Sequence, residues 1–346
     1  MDRTGFQRAI LRWFDQHGRT NLPWQQNISP YRVWVSEIML QQTQVTTVIP
    51  YFERFMDSFP TVQTLAAAPL DEVLHHWTGL GYYARARNMH RAAQIVCEQY
   101  KGNFPSTIEK LCDLPGIGRS TAGAISAIAF KIPATILDGN VKRVLARFSA
   151  IAGWPGKADV VQQLWLVAEN FTPQERIADY TQAMMDLGAT ICTRASPSCH
   201  QCPLTDSCIA YAQGNQRAYP GKKPKKKLPV RSRYFLLIRN KQGEILLQQN
   251  PPAGLWGGLW VLPQIESQAD VSNTCASLGL AVIDQQVKAV QRHTFSHFHL
   301  DYQPIVIDVE DCAKTVSACD NQVWYNPQKP LSLGMPAPVL ALLHPQ

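Results

Sequence analysis

Four cysteines lie between residues 192 and 208 in the order Cys192-x6-Cys199-x2-Cys202-x5-Cys208, and no other feature narrows what this chain can fold into as much. Free thiols at such density are an oxidation liability. The chain holds 9 cysteines, an odd number with four of them bunched, which points to metal binding rather than a disulfide framework. Zinc would be suggested by two thiolate pairs on separate knuckles, whereas here only Cys199 and Cys202 form a CxxC pair. One loop-rich stretch carrying all four, with Pro197 and Pro203 inside it, suits an iron-sulfur cluster better; zinc and unligated thiols are the alternatives. The remaining five, Cys97, Cys112, Cys275, Cys312 and Cys319, read as ordinary buried thiols.

A chain of 346 residues is too long for one ordinary core, because single cores stop growing at roughly 250 to 300 residues, so two domains are expected. With 45% hydrophobic and 17% charged residues, a largely disordered chain is excluded. No apolar run reaches the length of a membrane span, and MDRTGFQRAI lacks the apolar stretch of a secretory signal; the expected location is the reducing cytoplasm. The formal net charge of +7 is not spread evenly: residues 213–233 hold 8 Lys and Arg and no Asp or Glu, between a segment of +2 and one of −3. A polyanionic partner such as DNA fits that balance without being demonstrated by it.

Apolar residues up to about position 190 recur at spacings of three and four, punctuated by Pro30, Pro50, Pro69, Gly102, Pro133 and Pro155, which predicts an all-helical domain. GNQRAYPGKKPKKKLPVRSR, from Gly214 to Arg233, mixes Pro, Gly and Lys with few aliphatic residues and reads as a linker. Beyond it, Tyr234–Ile238 and Glu244–Gln248 are apolar runs joined through a turn with Gly243, a hairpin signature, and further strands are expected around Val282, Phe298 and Ile305. An α+β domain on a mixed or antiparallel sheet follows.

Three segments of the helical part carry groups suited to chemistry. In Leu114-Pro115-Gly116-Ile117-Gly118, between two helical patterns, the glycines allow a tight turn, and the N-terminus of the next helix adds a positive dipole; such a hairpin either only connects or seats a phosphate. Asp138 follows an apolar segment and starts a helix, so it is an N-cap held ionised by nearby N–H groups, the state needed to stabilise a cationic sugar. Glu37 follows Val33 and Trp34 by four and three residues, on the apolar face of a helix capped by Ser29 and started by Pro30. There it serves either a buried polar network or proton transfer, since desolvation raises a carboxyl pKa and keeps a proton available.

LPGIGRSTAGA, LDGNVKR and the cysteine cluster, in this order and spacing, resemble the helix-hairpin-helix glycosylase superfamily that includes endonuclease III. Within it, SEIMLQQTQV, WTGLGYYARARN, GLWGGLW and FSHFHL resemble the MutY-type adenine DNA glycosylases over nearly the whole chain. The resemblance implies a mainly α helix-hairpin-helix glycosylase domain over residues 1–213 with an iron-sulfur loop at 192–208, a basic linker at 214–232, and a C-terminal α+β Nudix-like domain at 233–346. It implies one 4Fe-4S cluster on Cys192, Cys199, Cys202 and Cys208, and hydrolysis of the N-glycosidic bond of adenine mispaired with 8-oxoguanine or guanine. Glu37 would protonate the leaving base at N7 and Asp138 would offset charge on the sugar. Leu22, Trp24, Ser120, Asn140 and Gln182 match the region that receives the base, and Gln25 stands where many relatives carry arginine. Gln42 and Tyr82 fill or wedge the stack, and Gly116, Gly118, Lys142 and Arg143 would contact the DNA backbone.

In the C-terminal part no run matches the glutamate-rich Nudix catalytic box, so this domain is expected to recognise rather than hydrolyse. Phe295, Ser296 and His297 match the loop that inspects oxidised guanine, by stacking and by hydrogen bonds to the base edge; His297 and His299 also alternate as a metal pair would. The position where endonuclease III carries its imine-forming lysine is Ser120, so a monofunctional glycosylase is expected. The competing readings are an endonuclease III-like glycosylase and lyase acting on oxidised pyrimidines, and a noncatalytic DNA-binding protein whose cluster senses redox state. The expected partner is duplex DNA carrying the mispair. The protein is expected to be monomeric, associated with the nucleoid and free of membrane, with repair or replication proteins docking at the linker.

Overall fold

A computed structural model of the protein describes residues 1–224, 227–311 and 321–344; Lys225, Lys226, Cys312 and Cys319 lie outside the described residues. The chain divides into two compact units, Met1–Ala67 with Asn88–Lys225, and Ala68–Arg87 with Lys226–Gln346. Helices come first: α1 (Arg3–His17), α2 (Pro30–Leu40), α3 (Val45–Ser58), α4 (Val62–Ala67), α5 (Leu70–Trp77), α6 (Ala84–Tyr100) and α7 (Ile108–Cys112). They continue with α8 (Arg119–Ala129), α9 (Gly139–Phe148), α10 (Ala158–Phe171), α11 (Ile177–Asp186) and α12 (Ile209–Ala212). Among the described residues no helix is long and apolar enough to cross a membrane.

Local chemistry explains several helix starts. Asp2, Ser29, Thr107 and Asp138 each accept a hydrogen bond from a backbone N–H of the first turn they precede, satisfying a donor that has no partner inside the helix. Pro30 occupies the first turn of α2, where a missing N–H costs nothing. Pro50 does not break the chain as its position in the pattern predicts: it lies inside α3. Both Pro50 and Thr46 one turn earlier are exposed, so the carbonyl left without its helical donor lies where solvent can satisfy it. Around Phe6 the first unit closes its core: the ring stacks on Phe171 at 4.1 Å and meets the edge of Phe148 at 4.9 Å, with Val144, Leu164 and Leu187 buried in the same cluster.

The second unit is built on one mixed sheet. Its strands are β1 (Val230–Arg239), β2 (Ile245–Gln249), β3 (Trp260–Val261), β4 (Gln264–Ile265), β5 (Leu280–Val287), β6 (Gln291–Thr294), β7 (His299–Asp311) and β8 (Gln322–Tyr325). The main path runs β3-β2-β1-β7-β5, with β4 on β1, β6 on β7 and β8 on β2. β1 and β2 form the expected hairpin, turned at Gly243 with φ +78°. β1 and β7 pair in parallel from Val230↔His299 to Arg239↔Asp308. That pairing draws Val230–Arg233, which composition assigns to the linker, into a strand: ladder hydrogen bonds come from the backbone, and polar side chains there face solvent. Leu236, Ile238, Leu246, Ile305 and Ile307 fill the core on one side of the sheet with α13 (Val271–Ser277); α14 (Ala337–Leu343) follows the last strand.

Of the thiols read as buried, Cys275 is buried and Cys97 half-buried, but Cys112 is exposed. It is the last residue of the five-residue α7, a helix too short to cover more than Leu111, its one buried side chain. Replacing Phe6 by Ala removes a ring that touches two others and leaves a cavity; the unfolding free energy of the first unit should fall by about 3–5 kcal/mol in chemical denaturation followed by far-UV circular dichroism.

Candidate active site

Glu37 and Asp138 face one cavity of about 1100 Å³ in the first unit. Val33, Ser36, Glu37 and Leu40, one side of α2, form part of its wall, and the deeper residues Val35 and Met39 fix that helix in the core. Asp138 enters from the start of α9, where its Oδ1 accepts from the Val141 N–H at 2.9 Å and its Oδ2 from Asn140 Nδ2 at 3.2 Å. Leu22, Trp24, Gln42, Ser120, Asn140, Arg143 and Gln182 also line the cavity. Leu22 and Trp24 supply apolar surface, as a site for a flat, largely uncharged group requires.

The two carboxyl groups differ in what surrounds them. Burial pushes Glu37 up to about 8, and the charge of Asp138 adds to the rise. Asp138 is raised by burial as well, but the N–H groups of Val141 and Asn140, the Arg143 guanidinium and the Asn140 amide pull it back. Near neutral pH Glu37 therefore holds its proton, while hydrogen-bond donors favour the charged form of Asp138. Such a pair supplies a proton donor and an anion to one bound molecule.

Hydrogen bonds extend outward from Asp138. Asn140 Oδ1 accepts from Arg143 at 2.8 Å, and Arg143 also donates to the carbonyls of Gly188 at 2.6 Å and Cys192 at 2.7 Å. Arg143, read from sequence as a DNA-backbone contact, thus spends much of its guanidinium on protein carbonyls. Ser120 Oγ accepts from the Leu137 N–H at 2.9 Å, tying α8 to the residue before Asp138. Patterning missed Arg19 and Asp186. Arg19 lines the cavity and binds the fully buried Asp186 at 2.6 Å, which also accepts from Gln182 at 2.8 Å. Since 167 positions separate Arg19 from Asp186, only the tertiary fold brings them together. Gln25 joins by donating to the Arg19 carbonyl at 2.7 Å.

The hairpin before α8 has Gly116 at φ +81°, with the Asn88 Cβ only 3.0 Å from where a Cβ would stand, so any side chain there is both strained and crowded. Gly118 caps α8 without a side chain, and nothing lies within 4 Å of where its Cβ would be; the helix's first N–H groups are open to an anion. Arg119 packs its guanidinium on Trp165 at 3.9 Å and pairs with Glu169. Lys142 follows Asp138 on the first turn of α9 without lining the cavity.

Tyr82 and the residues 295–297 belong to the second unit. Tyr82 is 50% exposed and has φ +49°. The 295–297 loop is closed by the Phe295 N–H on the Phe298 carbonyl at 2.9 Å. Phe295 stacks on the buried Phe298 at 4.6 Å and Trp256 lies beside it at 5.7 Å, whereas Ser296 and His297 are exposed. His299 turns to Thr294 at 2.9 Å, so the alternation with His297 does not make a pair.

Cys192, Cys199, Cys202 and Cys208 line one small cavity with Val144, Arg147 and Phe148. Burial pushes Cys202 up to about 12 and raises Cys199 and Cys208 as well. Gathering four thiolates here would take a countercharge. Arg147, 3% exposed, donates to Cys192 Sγ at 3.2 Å and to the carbonyls of Thr193, Arg194, Gln216 and Tyr219. Among the described residues no three His, Cys, Asp or Glu converge closely enough to hold a single metal ion.

A helical domain with an open-ended hairpin and an acid-lined cavity, followed by a separate sheet domain, defines a class. The family of HhH-GPD superfamily base excision DNA repair proteins matches residues 35–170, and the NUDIX domain family matches residues 234–344. Among solved structures, a thermostable thymine-DNA glycosylase superposes with a TM-score of 0.56 at 27% identity, over 61% of this chain and 97% of that one. An adenine DNA glycosylase of Buchnera aphidicola is 38% identical over 98% of this chain and 96% of its own length. One from Rattus norvegicus is 36% identical over 89% of this chain and 71% of its own. The chain belongs to the adenine DNA glycosylase family.

The cavity makes a direct prediction. Infrared difference titration of the Glu37 carboxyl should give a midpoint near 8, moved downward in Asp138→Asn because the neighbouring charge is gone. A midpoint in the ordinary carboxylate range would show that water reaches the group freely.

Proposed function

We propose that this protein removes adenine from duplex DNA by hydrolysing its N-glycosidic bond where adenine stands opposite 8-oxoguanine or guanine. The observation that carries the reading is the single cavity holding Glu37, pushed up to about 8, with Asp138 on its hydrogen-bonded cap. Sites of roughly 300–1000 Å³ take drug-sized ligands, so the space suffices for a nucleoside turned out of the stack. Glu37 passes its proton to N7 of the base, and the bond between the sugar carbon and the base breaks with its electron pair leaving on adenine. Asp138 offsets the positive charge on the sugar until water adds, a carboxylate taking the water's proton. Leu22, Trp24 and Gln182 bound the base, and Asn140 holds Asp138 in place.

DNA is bound mainly through phosphates in this reading, by the open N–H groups at Gly118, the turn at Gly116 and the side chain of Lys142. Gln42, left-handed at φ +59°, and Tyr82 fill the space the base vacates. Phe295, Ser296 and His297 read the opposite base: Ser296 and His297 offer hydrogen bonds and Phe295 a ring already held by Phe298. Ser120 has no amine, so it forms no imine with the sugar, which speaks against the lyase alternative.

Cys192, Cys199, Cys202 and Cys208 would hold one 4Fe-4S cluster. The single CxxC pair, and the placing of all four thiols of one loop around one small cavity, support a multi-iron group over zinc. Bound there, the cluster would cross-link the 192–208 loop to itself, and Arg147, which donates to Cys192 Sγ and to its carbonyl, would hold that loop to α9.

Duplexes holding A:8-oxoguanine, A:G and A:T pairs test the reading. Base loss should occur at the two mispairs, with strand breaks chiefly after alkali. Release of oxidised pyrimidines with spontaneous breaks would replace it by the lyase. Glu37→Gln should keep duplex binding and lower base release by at least about 100-fold. The single-turnover rate should fall as pH rises through about 8, because Glu37 must be protonated, and fall again in acid as Asp138 gains its proton.

A further inference from the structure

The turn bearing Tyr82 is fastened within the second unit, and tightly. On α5, Asp71 accepts from Gln249 Nε2 at 2.8 Å and from Trp260 Nε1 at 3.2 Å. Tyr83 donates its hydroxyl to the Met335 carbonyl at 3.0 Å, and Arg87 donates to the Gly257 carbonyl at 2.7 Å. His75 Nδ1 lies 3.3 Å from the Leu333 carbonyl. Gly334 packs so closely on Leu74 that a Cβ there would stand 2.5 Å from the Leu74 Cβ.

The turn is also closed on itself. Trp77 Nε1 donates to the Gly81 carbonyl at 3.1 Å, and Arg85 donates to the carbonyls of Leu80 and Gly81. Gly79 at φ +98°, Gly81 at +70° and Tyr82 at +49° all take left-handed backbone. A tyrosine keeps such a conformation only when its surroundings over-determine it. Leu80 and Tyr83 on either side are buried, and Tyr82 is left projecting.

We propose that Asp71, Tyr83 and Arg87 are positioning residues for Tyr82, mounting it on the same compact body that carries the Phe295–His297 loop. The side chain that enters the duplex and the loop that inspects the base are then parts of one recognition unit, although 68–87 lies in the sequence amid the catalytic helices. Holding the ring in its projecting geometry before DNA arrives lowers the ordering cost of binding. The proposal rests on the reading of Tyr82 as the residue that fills the stack.

The test uses the full-length protein, a duplex with 2-aminopurine beside an A:8-oxoguanine pair, and four variants: Tyr82→Leu, Asp71→Asn, Tyr83→Phe and the double Tyr83→Phe/Tyr82→Leu. Tyr82→Leu should weaken duplex binding about tenfold and abolish the 2-aminopurine fluorescence change that insertion causes. Asp71→Asn and Tyr83→Phe should weaken binding about three- to tenfold and shrink the same signal, while base release from the saturated complex stays within about twofold. Because the mount acts only through Tyr82, the double variant should bind no more weakly than Tyr82→Leu alone. Should Asp71→Asn not fold by near-UV circular dichroism, Tyr83→Phe, which deletes one hydroxyl, decides. Additive losses, or normal binding and signal in Tyr83→Phe while Tyr82→Leu is impaired, would overturn the mount alone. An unimpaired Tyr82→Leu would overturn the stack-filling role and the mount with it.

Discussion

Removing a carboxyl group from water beside a second carboxyl is the constraint on which the site depends. Burial alone raises Glu37, and the like charge of Asp138 raises it further. The cost of that arrangement is contained by asymmetry: Asp138 receives N–H groups from the first turn of α9, whereas burial and the Asp138 charge both push Glu37 up. The surrounding structure preserves the asymmetry. α2 is pinned by Val35 and Met39, and the segment before Asp138 is held by Ser120. Asn140 and Arg143 then fix the cap itself to the Gly188 and Cys192 carbonyls.

That last set of contacts gives the cysteine loop a part in the geometry of the cavity. Arg143 and Arg147 lie one helical turn apart on α9 and both donate to the carbonyl of Cys192. Hydrogen bonds of ordinary length thus run from the Cys192 carbonyl through Arg143 to Asn140 and so to Asp138. Arg147 further ties the loop to Gln216 and Tyr219, where the helical unit hands over to the basic segment.

Much of the cavity was legible in the sequence because its parts are local. The spacing of Val33, Trp34 and Glu37 sets a face of α2, and Asp138 is a cap with its own short-range signature. The cysteines announce themselves by crowding, and the β1–β2 hairpin by its turn glycine. What stayed hidden was nonlocal. Arg19 and Asp186 meet only in the folded chain, and the strand character of Val230–Arg233 comes from its parallel partner rather than from its own residues. Pro50 misled because a rule about helix interiors weakens where both the ring and the orphaned carbonyl face water.

The grouping of Ala68–Arg87 with residues beyond 226 also bears on how the chain is made. A nascent polypeptide leaves the ribosome at about 5–20 residues per second, so Asp71 emerges well before Trp260, and Tyr83 well before Met335. During that interval α5 has no sheet to rest on, and Leu74, fully buried and packed on Gly334 at the end, is open to water or to a chaperone. A helical unit assembled early would thus carry an apolar loop awaiting the last third of translation, a window in which proteolysis or premature association competes with completion.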